Sequence, residues 1–152
     1  MQALYKHQKE IISEDKKQCG LFLGTGSAKT LTALFLAEGK ILVLSPKTQR
    51  QQQNFVKEAE SWGLVKDIYQ ISYEDFKKEN LGQYDTIICD EAHRLGGVSP
   101  ETKQKNGVRI PKCSQLYTQF YSYIQKYPPK RLYLLTATPT RSPMAVFAFA
   151  RL

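Results

Sequence analysis

Five short apolar runs alternate with helical patterns along this 152-residue chain, and that alternation limits its fold more than any other feature. The runs are Gly20-Leu21-Phe22-Leu23, Ile41-Leu42-Val43-Leu44, Ile68 to Ser72, Thr86-Ile87-Ile88-Cys89 and Leu132 to Thr136. Each is short and mostly without polar alternation, which is how strands buried on both faces read. Residues 3–13 read as a short helix turning Leu4, Ile11 and Ile12 inward. A second helix begins at Lys29, with Leu31, Leu34 and Phe35 apolar. A third, over 48–62, carries Phe55, Ala59 and Trp62 on one face. Ser72 with Asp75 predicts a capping-box start for a short fourth helix. Over 114–126, Leu116, Tyr117, Phe120, Tyr121 and Ile124 form a helical stripe that stops before Pro128-Pro129. Residues 95–113 hold Gly96, Gly97, Pro100, Gly107 and Pro111 and read as loop. Strands alternating with helices predict an α/β domain with a mainly parallel sheet and helices on both faces. The length suits one domain, 1–152.

Two stretches carry chemistry. Gly24-Thr25-Gly26-Ser27-Ala28-Lys29-Thr30 lies between an expected strand and an expected helix. Gly24 and Gly26 let the backbone turn tightly and approach an anion. A helix starting at Lys29 aims free N–H groups and the positive end of its dipole at that loop. Lys29 would reach the β/γ-phosphates of a bound triphosphate, and the Thr30 hydroxyl would hold magnesium. Two positions depart from the usual phosphate-loop pattern, Leu23 and Ala28, where glycine is standard. Leu23 matters little. The Ala28 methyl stands where backbone passes close to phosphate, and it is tolerated if φ there is negative. An ordinary glycine-containing strand-to-helix turn would look similar.

The second stretch is Asp90-Glu91-Ala92-His93, after the run that ends at Cys89. Asp90 at a strand end is placed to meet magnesium, and Glu91 to polarise an attacking water. A solvated acidic pair at a strand end is common. It does not account for the accompanying His93 or for Leu135-Thr136-Ala137-Thr138-Pro139 downstream.

Taken in order, these stretches resemble the first RecA-like domain of a superfamily 2 helicase or translocase. Leu4-Tyr5-Lys6-His7-Gln8 resembles the adenine-reading Q motif, Gly24 to Thr30 motif I, and Asp90 to His93 the DEAH form of motif II. Thr136-Ala137-Thr138-Pro139 resembles motif III, and Ser45-Pro46-Lys47 looks like motif Ia. Ile71-Ser72-Tyr73-Glu74 and the run Asp90 to Leu95 are similar to the Swi/Snf-type and phage helicase branches. The resemblance spans nearly the whole chain. It implies a three-layer RecA-like P-loop NTPase fold, with ATP and Mg²⁺ as cofactors. It also implies an ATP hydrolase that couples turnover to movement on DNA or RNA.

The resemblance assigns roles residue by residue. Gln8 would hydrogen-bond adenine, with Tyr5 packing nearby. Gly24, Thr25, Gly26, Ser27, Ala28, Lys29 and Thr30 would hold phosphates. Thr30 and Asp90 would hold magnesium. Lys29, Asp90 and Glu91 would form the catalytic set. His93, Thr136 and Thr138 would couple nucleotide state to grip on nucleic acid. Lys47, Thr48 and Gln49 would touch the nucleic-acid backbone. Without the family, His93 reads as a surface imidazole, and Thr136 and Thr138 as ordinary strand-end residues.

Such helicases use two RecA-like domains, the second supplying arginine fingers. No Gln-x-x-Gly-Arg-x-x-Arg signature occurs, and the chain stops at Arg151-Leu152. The expectation is therefore a half-enzyme that needs a second RecA-like domain in cis or in trans. Alone it should bind nucleotide weakly and hydrolyse it poorly, since an arginine finger is worth about 10³–10⁵ in rate. The alternative is a non-catalytic nucleotide- or nucleic-acid-binding module of the same fold. A kinase is disfavoured, because the acidic pair follows a strand and nothing suggests a phosphoacceptor pocket.

A net charge of +8 suits a polyanionic partner, DNA in preference to RNA, although lysines spread over helix exteriors also serve solubility. Lys103 to Arg109 is a second basic candidate, read first as a solvated loop without aromatics for base stacking. No run approaches the roughly 18 apolar residues of a membrane span, and no signal peptide follows Met1. Cys19, Cys89 and Cys113 lack metal-ligand spacing and read as reduced thiols in a cytoplasmic protein. Met144 to Ala150 is apolar on nearly every side. It reads as a final helix, partly covering the sheet and partly facing a missing domain.

Overall fold

A computed structural model of the chain describes residues 3–24, 28–96, 98–105 and 108–138. The strands in chain order are β1 Gln18–Leu21, β2 Lys40–Ser45, β3 Asp67–Ser72, β4 Thr86–Asp90, β5 Val98–Lys105, β6 Val108–Cys113 and β7 Arg131–Leu135. Five of them form one sheet in the order β1-β7-β4-β2-β3, and every pairing within it is parallel. The remaining two, β5 and β6, pair antiparallel in a separate hairpin. The helices are α1 Lys6–Glu14, α2 Lys29–Leu36, α3 Lys47–Gln52, α4 Asn54–Ser61, α5 Tyr73–Phe76 and α6 Gln115–Lys126.

Side-chain alternation along the central strands feeds two cores. Ile41 and Val43 of β2, Ile88 of β4, and Tyr133 and Leu135 of β7 face one side. There they meet Ala33, Leu34 and Leu36 of α2 and Phe55 and Ala59 of α4, with Ile11 and Ile12 of α1 at the margin. Leu42, Leu44, Ile87, Cys89, Leu132 and Leu134 face the other side, against Phe76 of α5 and Phe120 and Ile124 of α6. Helices therefore cover both faces, and strands such as β4 are buried along their whole length. Burying each large apolar side chain contributes about 1.5–3 kcal/mol, so these two layers supply most of the driving force.

At the amino-terminal ends of the strands, the buried Arg131 guanidinium joins elements remote in sequence. It bonds Asp15 Oδ1 at 2.6 Å, beyond α1, and Glu38 Oε1 at 2.8 Å, beyond α2. It also reaches the Tyr133 hydroxyl at 3.2 Å. The guanidinium holds the Asp15 carboxyl below its ordinary value, chiefly by that hydrogen bond. A buried cation this well paired is costly to break on one side.

Four expectations need correction. The run Gly20 to Leu23 is not a buried strand. β1 begins at Gln18, ends at Leu21 and lies at the sheet edge, where only Leu21 is buried. Phe22 is 47 % exposed, with its ring folded over Gly20, where an added Cβ would meet it at 2.4 Å. The helix expected over 48–62 is two helices, broken at Gln53, which is left-handed with φ 50°. The break follows from composition: α3 is Lys-Thr-Gln-Arg-Gln-Gln and buries no side chain, so no apolar anchor holds it in line with α4. The Ser72 cap is present, with Asp75 N–H donating to Ser72 Oγ at 3.0 Å, but the return bond differs from a capping box. Ser72 Oγ donates to Asp75 Oδ2 at 2.8 Å, and the helix is a single turn.

Most of the stretch expected as loop over 95–113 is strand. Over 98–105 and 108–113 the chain forms the β5–β6 hairpin, with a bulge between Ser99 and Thr102. The proline and glycine count outweighed a hairpin signal in the same stretch. Asn-Gly, the pair at 106–107, is a sequence favoured in two-residue hairpin turns, and Pro100 falls at the irregular position where a missing N–H is tolerated. Pro139 and the apolar stretch 144–150 lie outside the described residues. Among the described residues, no helix is long and apolar enough to cross a membrane.

Candidate functional site

Parallel pairing brings the carboxyl ends of the strands to one edge. Leu21 of β1 pairs with Leu135 of β7, and Leu135 with Asp90 of β4. Cys89 pairs with Leu44 of β2 one step earlier. The loop toward α2, the acidic pair, Thr136 and the start of α3 therefore all leave the sheet on the same side. Ligands of open α/β sheets bind outside this edge.

The α2 junction is strained. Ala28 has φ 53° and ψ 42°, the left-handed region, so the negative φ that would make alanine comfortable there is not what the backbone adopts. For an L-residue with a Cβ this costs about 1–2 kcal/mol. What holds it is visible: the Ala28 carbonyl accepts from Thr32 N–H at 3.1 Å, Thr32 Oγ1 at 3.1 Å and Gln8 Nε2 at 3.3 Å. Lys29 folds back so that Nζ donates to the carbonyls of Leu23 at 2.8 Å and Gly24 at 2.9 Å. Its ammonium thus ties the start of α2 back to the chain that leaves β1. Thr25, Gly26 and Ser27 themselves lie outside the described residues.

Gln8 is 1 % exposed and fully engaged. Besides the Ala28 bond, Nε2 donates to Thr32 Oγ1 at 3.2 Å, and Oε1 accepts from Tyr5 N–H at 2.8 Å. Its amide ties the start of α1 to the start of α2. It can read a ligand only by exchanging one of these bonds. Beside it is a cavity of about 340 Å³ lined by Tyr5, Gln8, Ala28, Leu31 and Trp62. A second cavity, about 610 Å³, is lined by Ala28, Lys29, Thr30, Asn54, Lys57 and Glu58. The two share Ala28, Glu58 and Ser61, so together they run along one continuous groove between α2 and α4. Sizes in this range suit a small molecule.

Asp90 is 8 % exposed. Burial, and then the negative charge of Glu91, push its carboxyl up to about 6. The Glu91 N–H bond to Asp90 Oδ1 at 3.0 Å, the Lys29 ammonium and the nearby Gln49 side chain pull the other way. Tyr73 fixes the backbone beneath: its buried hydroxyl donates to the Asp90 carbonyl at 2.7 Å. Glu91 follows in the left-handed region at φ 50°. Strained non-glycine residues of this kind cluster at functional sites.

His93 Nδ1 lies 3.2 Å from Glu91 Oε2 and 3.2 Å from Thr136 Oγ1. Thr136 Oγ1 in turn accepts from Thr138 N–H at 3.1 Å. The three residues singled out for coupling therefore form one chain of contacts from Glu91 to the end of β7. Lys47 and Thr48 are exposed on α3 at the same edge. Gln49 is different: it is half-buried, and its side chain lies close enough to Asp90 to pull that carboxyl's titration down. Beside it, Arg50 and Asp75 form an ion pair between α3 and α5.

Sequence reasoning missed the α4 side of the groove, meaning Lys57, Glu58, Ser61 and the placement of Trp62. It also missed the Tyr73 bond. The polar face of α4 was there to be read, but only the fold shows what it faces. No protein-family model matches this chain, and no curated protein matches it.

Replacing Ala28 by glycine removes the strain and leaves the contacts intact. Urea unfolding of Ala28→Gly should show a gain of about 1 kcal/mol, after the entropy glycine adds to the unfolded chain. A loss of stability would contradict the left-handed assignment. Asp90 titrates higher in the folded protein than its ordinary 3.8. Its ionisation therefore costs stability, a cost that is absent near pH 3.5, grows through the interval up to about 6 and is complete at pH 7. Asp90→Asn should stabilise the protein at pH 7 by about 1–3 kcal/mol and have little effect near pH 3.5. An equal effect at both pH values would rule out this origin.

Proposed function

We propose that this chain is a RecA-like ATP-binding domain of a nucleic-acid-dependent ATPase, a helicase or translocase. In this reading 1–152 is a single domain acting with a second RecA-like domain in cis or in trans. The observation that carries the proposal is a convergence at one sheet edge. A strained turn before Lys29-Thr30, a buried acid at Asp90 and the Glu91–His93–Thr136 chain lie side by side there. Structural roles alone give no reason to hold two left-handed non-glycine residues and a desolvated carboxylate in one place.

The residues fit ATP and Mg²⁺. A desolvated carboxylate pushed up to about 6 with a cation nearby is a group that gains from a divalent ion. Asp90 and Thr30 would hold the magnesium. Lys29 would exchange the Leu23 and Gly24 carbonyls for phosphate oxygens, with Gly24 to Thr30 as the cradle. The adenine fits the 340 Å³ cavity, against Tyr5 and Trp62, with Gln8 releasing one of its bonds to read it. Bound magnesium supplies charge neutralisation of the phosphates. Glu91 orients the attacking water. His93 leaves or keeps its contact with Glu91 as that carboxylate changes partner, and Thr136 and Thr138 carry the change toward Lys47 and Thr48. Gln49 is better placed to tune Asp90 than to touch nucleic acid.

A second reading, a binding module without turnover, is favoured by Ala28 and by the fully engaged Gln8 amide. The two readings differ in their use of magnesium. For a fluorophore-bearing ATP analogue, magnesium should tighten binding to the wild type about tenfold or more, by about 1.4 kcal/mol. Asp90→Asn should lose that gain, and Glu91→Gln should keep it. A magnesium effect unchanged in Asp90→Asn would sink the assignment of Asp90 and, with it, the ATPase reading.

A further inference from the structure

Helical spacing divides α4 into two faces. Phe55 and Ala59 are buried and pack into the core on the α2 side of the sheet. Asn54, Lys57, Glu58 and Ser61, three and four residues apart, line the groove toward α2. Trp62 follows at the end of the helix and meets Phe35 of α2 edge to face, with ring centroids 6.1 Å apart.

The two cavities of this groove differ in chemistry. The one of about 340 Å³ holds Tyr5, Gln8, Leu31 and Trp62, two aromatic rings and an aliphatic side chain around a single amide. The one of about 610 Å³ holds Lys29, Thr30 and Lys57, two ammonium groups and a hydroxyl. Among the described residues, Ala28, Glu58 and Ser61 are the three that line both. A nucleotide with its base in the first cavity and its phosphates in the second lays its sugar across these three, because the sugar joins the two ends.

What the three present is hydrogen-bond acceptors. The Ala28 carbonyl already accepts from Thr32 and Gln8. Ser61 Oγ donates its proton to the Glu58 carbonyl at 2.8 Å, which leaves the hydroxyl with acceptor capacity alone. An ionised Glu58 carboxylate only accepts. Phosphate oxygens, themselves acceptors, are repelled at such a place, whereas the vicinal 2′ and 3′ hydroxyls of a ribose are donors and match it. A 2′-deoxyribose lacks one of the two.

We infer that Glu58 reads the sugar: its carboxylate accepts from the vicinal hydroxyls of a ribonucleotide, with Ser61 beside it, and selects ribonucleoside over 2′-deoxyribonucleoside triphosphates. The inference rests on the ATP reading above and adds to it the class of sugar that the site takes. Hydrogen bonds to a charged acceptor are the strong ones, so the loss of one hydroxyl is felt as a change of about tenfold in affinity.

The test is calorimetric titration of the full chain with ATP and with 2′-deoxy-ATP, each with magnesium. The ratio of the two affinities is the readout, because removing a negative charge from the groove raises the affinity of both triphosphates alike. The wild type should prefer ATP by about tenfold. Glu58→Ala should bring the ratio to within about twofold of one, the acceptor being gone. Glu58→Gln keeps an acceptor without its charge and should leave a preference of about threefold. Glu60→Ala removes the same charge from an exposed position of α4 that lines neither cavity, and should keep the wild-type ratio. Both nucleotides bound by the wild type with a ratio near one overturns the inference and leaves the ATP reading standing. A full preference that survives in Glu58→Ala, or one that Glu60→Ala removes equally, also overturns it. Should Glu58→Ala fail to fold, an undiminished ratio in Glu58→Gln overturns it in the same way. Binding of neither nucleotide by the wild type overturns both readings.

Discussion

Backbone pairing among β1, β7 and β4 sets the height of every group at the candidate site. Leu21, Leu135 and Asp90 lie in one row of the sheet, so the turn toward α2, Thr136 and the acidic pair start from a common level. A slip of one residue in β4 would exchange its two buried faces, sending Ile88 to the α6 side and Ile87 to the α2 side. The two cores oppose that, because each is built on the alternation along β2, β4 and β7. Packing thus positions chemistry that packing itself does not need.

The same burial creates the tension at Asp90. A carboxylate at the end of a fully buried strand loses its water, and Glu91 adds a second negative charge. The chain compensates only in part, with one backbone N–H, the Lys29 ammonium and the Gln49 amide. Lys29 in turn satisfies itself on the carbonyls of Leu23 and Gly24. In the ATPase reading proposed above, a divalent cation at Asp90 and an anionic ligand at Lys29 would complete the charge balance of this edge. Local strain at Ala28 and Glu91 belongs to the same economy, being tolerated where the surrounding bonds over-determine the backbone.

Much of this was legible in the residues. The runs Ile41–Leu44 and Thr86–Cys89 are strands because, Thr86 apart, only apolar residues fill them and many are β-branched, and the α6 stripe keeps its spacing along the helix. Elements at the margins were not legible in the same way. Leu23 and Phe22 look like core in sequence, but β1 has a single neighbour and ends before them. Gln53 carries no local signal for a left-handed break. Only the lack of an apolar anchor in α3 hints at it. The hairpin had its signal in Asn106-Gly107, outweighed by the prolines. For the site, residue types and order pointed to Lys29, Asp90, Glu91, His93 and Thr136. Which partners they hold depended on distances that no spacing encodes, such as Tyr73 under Asp90 and Gln49 beside it.

The central claim is that Lys29 and the strained turn before it make a working triphosphate site. Calorimetric titration of ATP with magnesium into the wild type and Lys29→Ala tests it most directly. The account predicts measurable binding by the wild type and a loss of at least about tenfold in affinity when the ammonium is removed. Equal affinities in the two proteins, or no binding by the wild type, would contradict it.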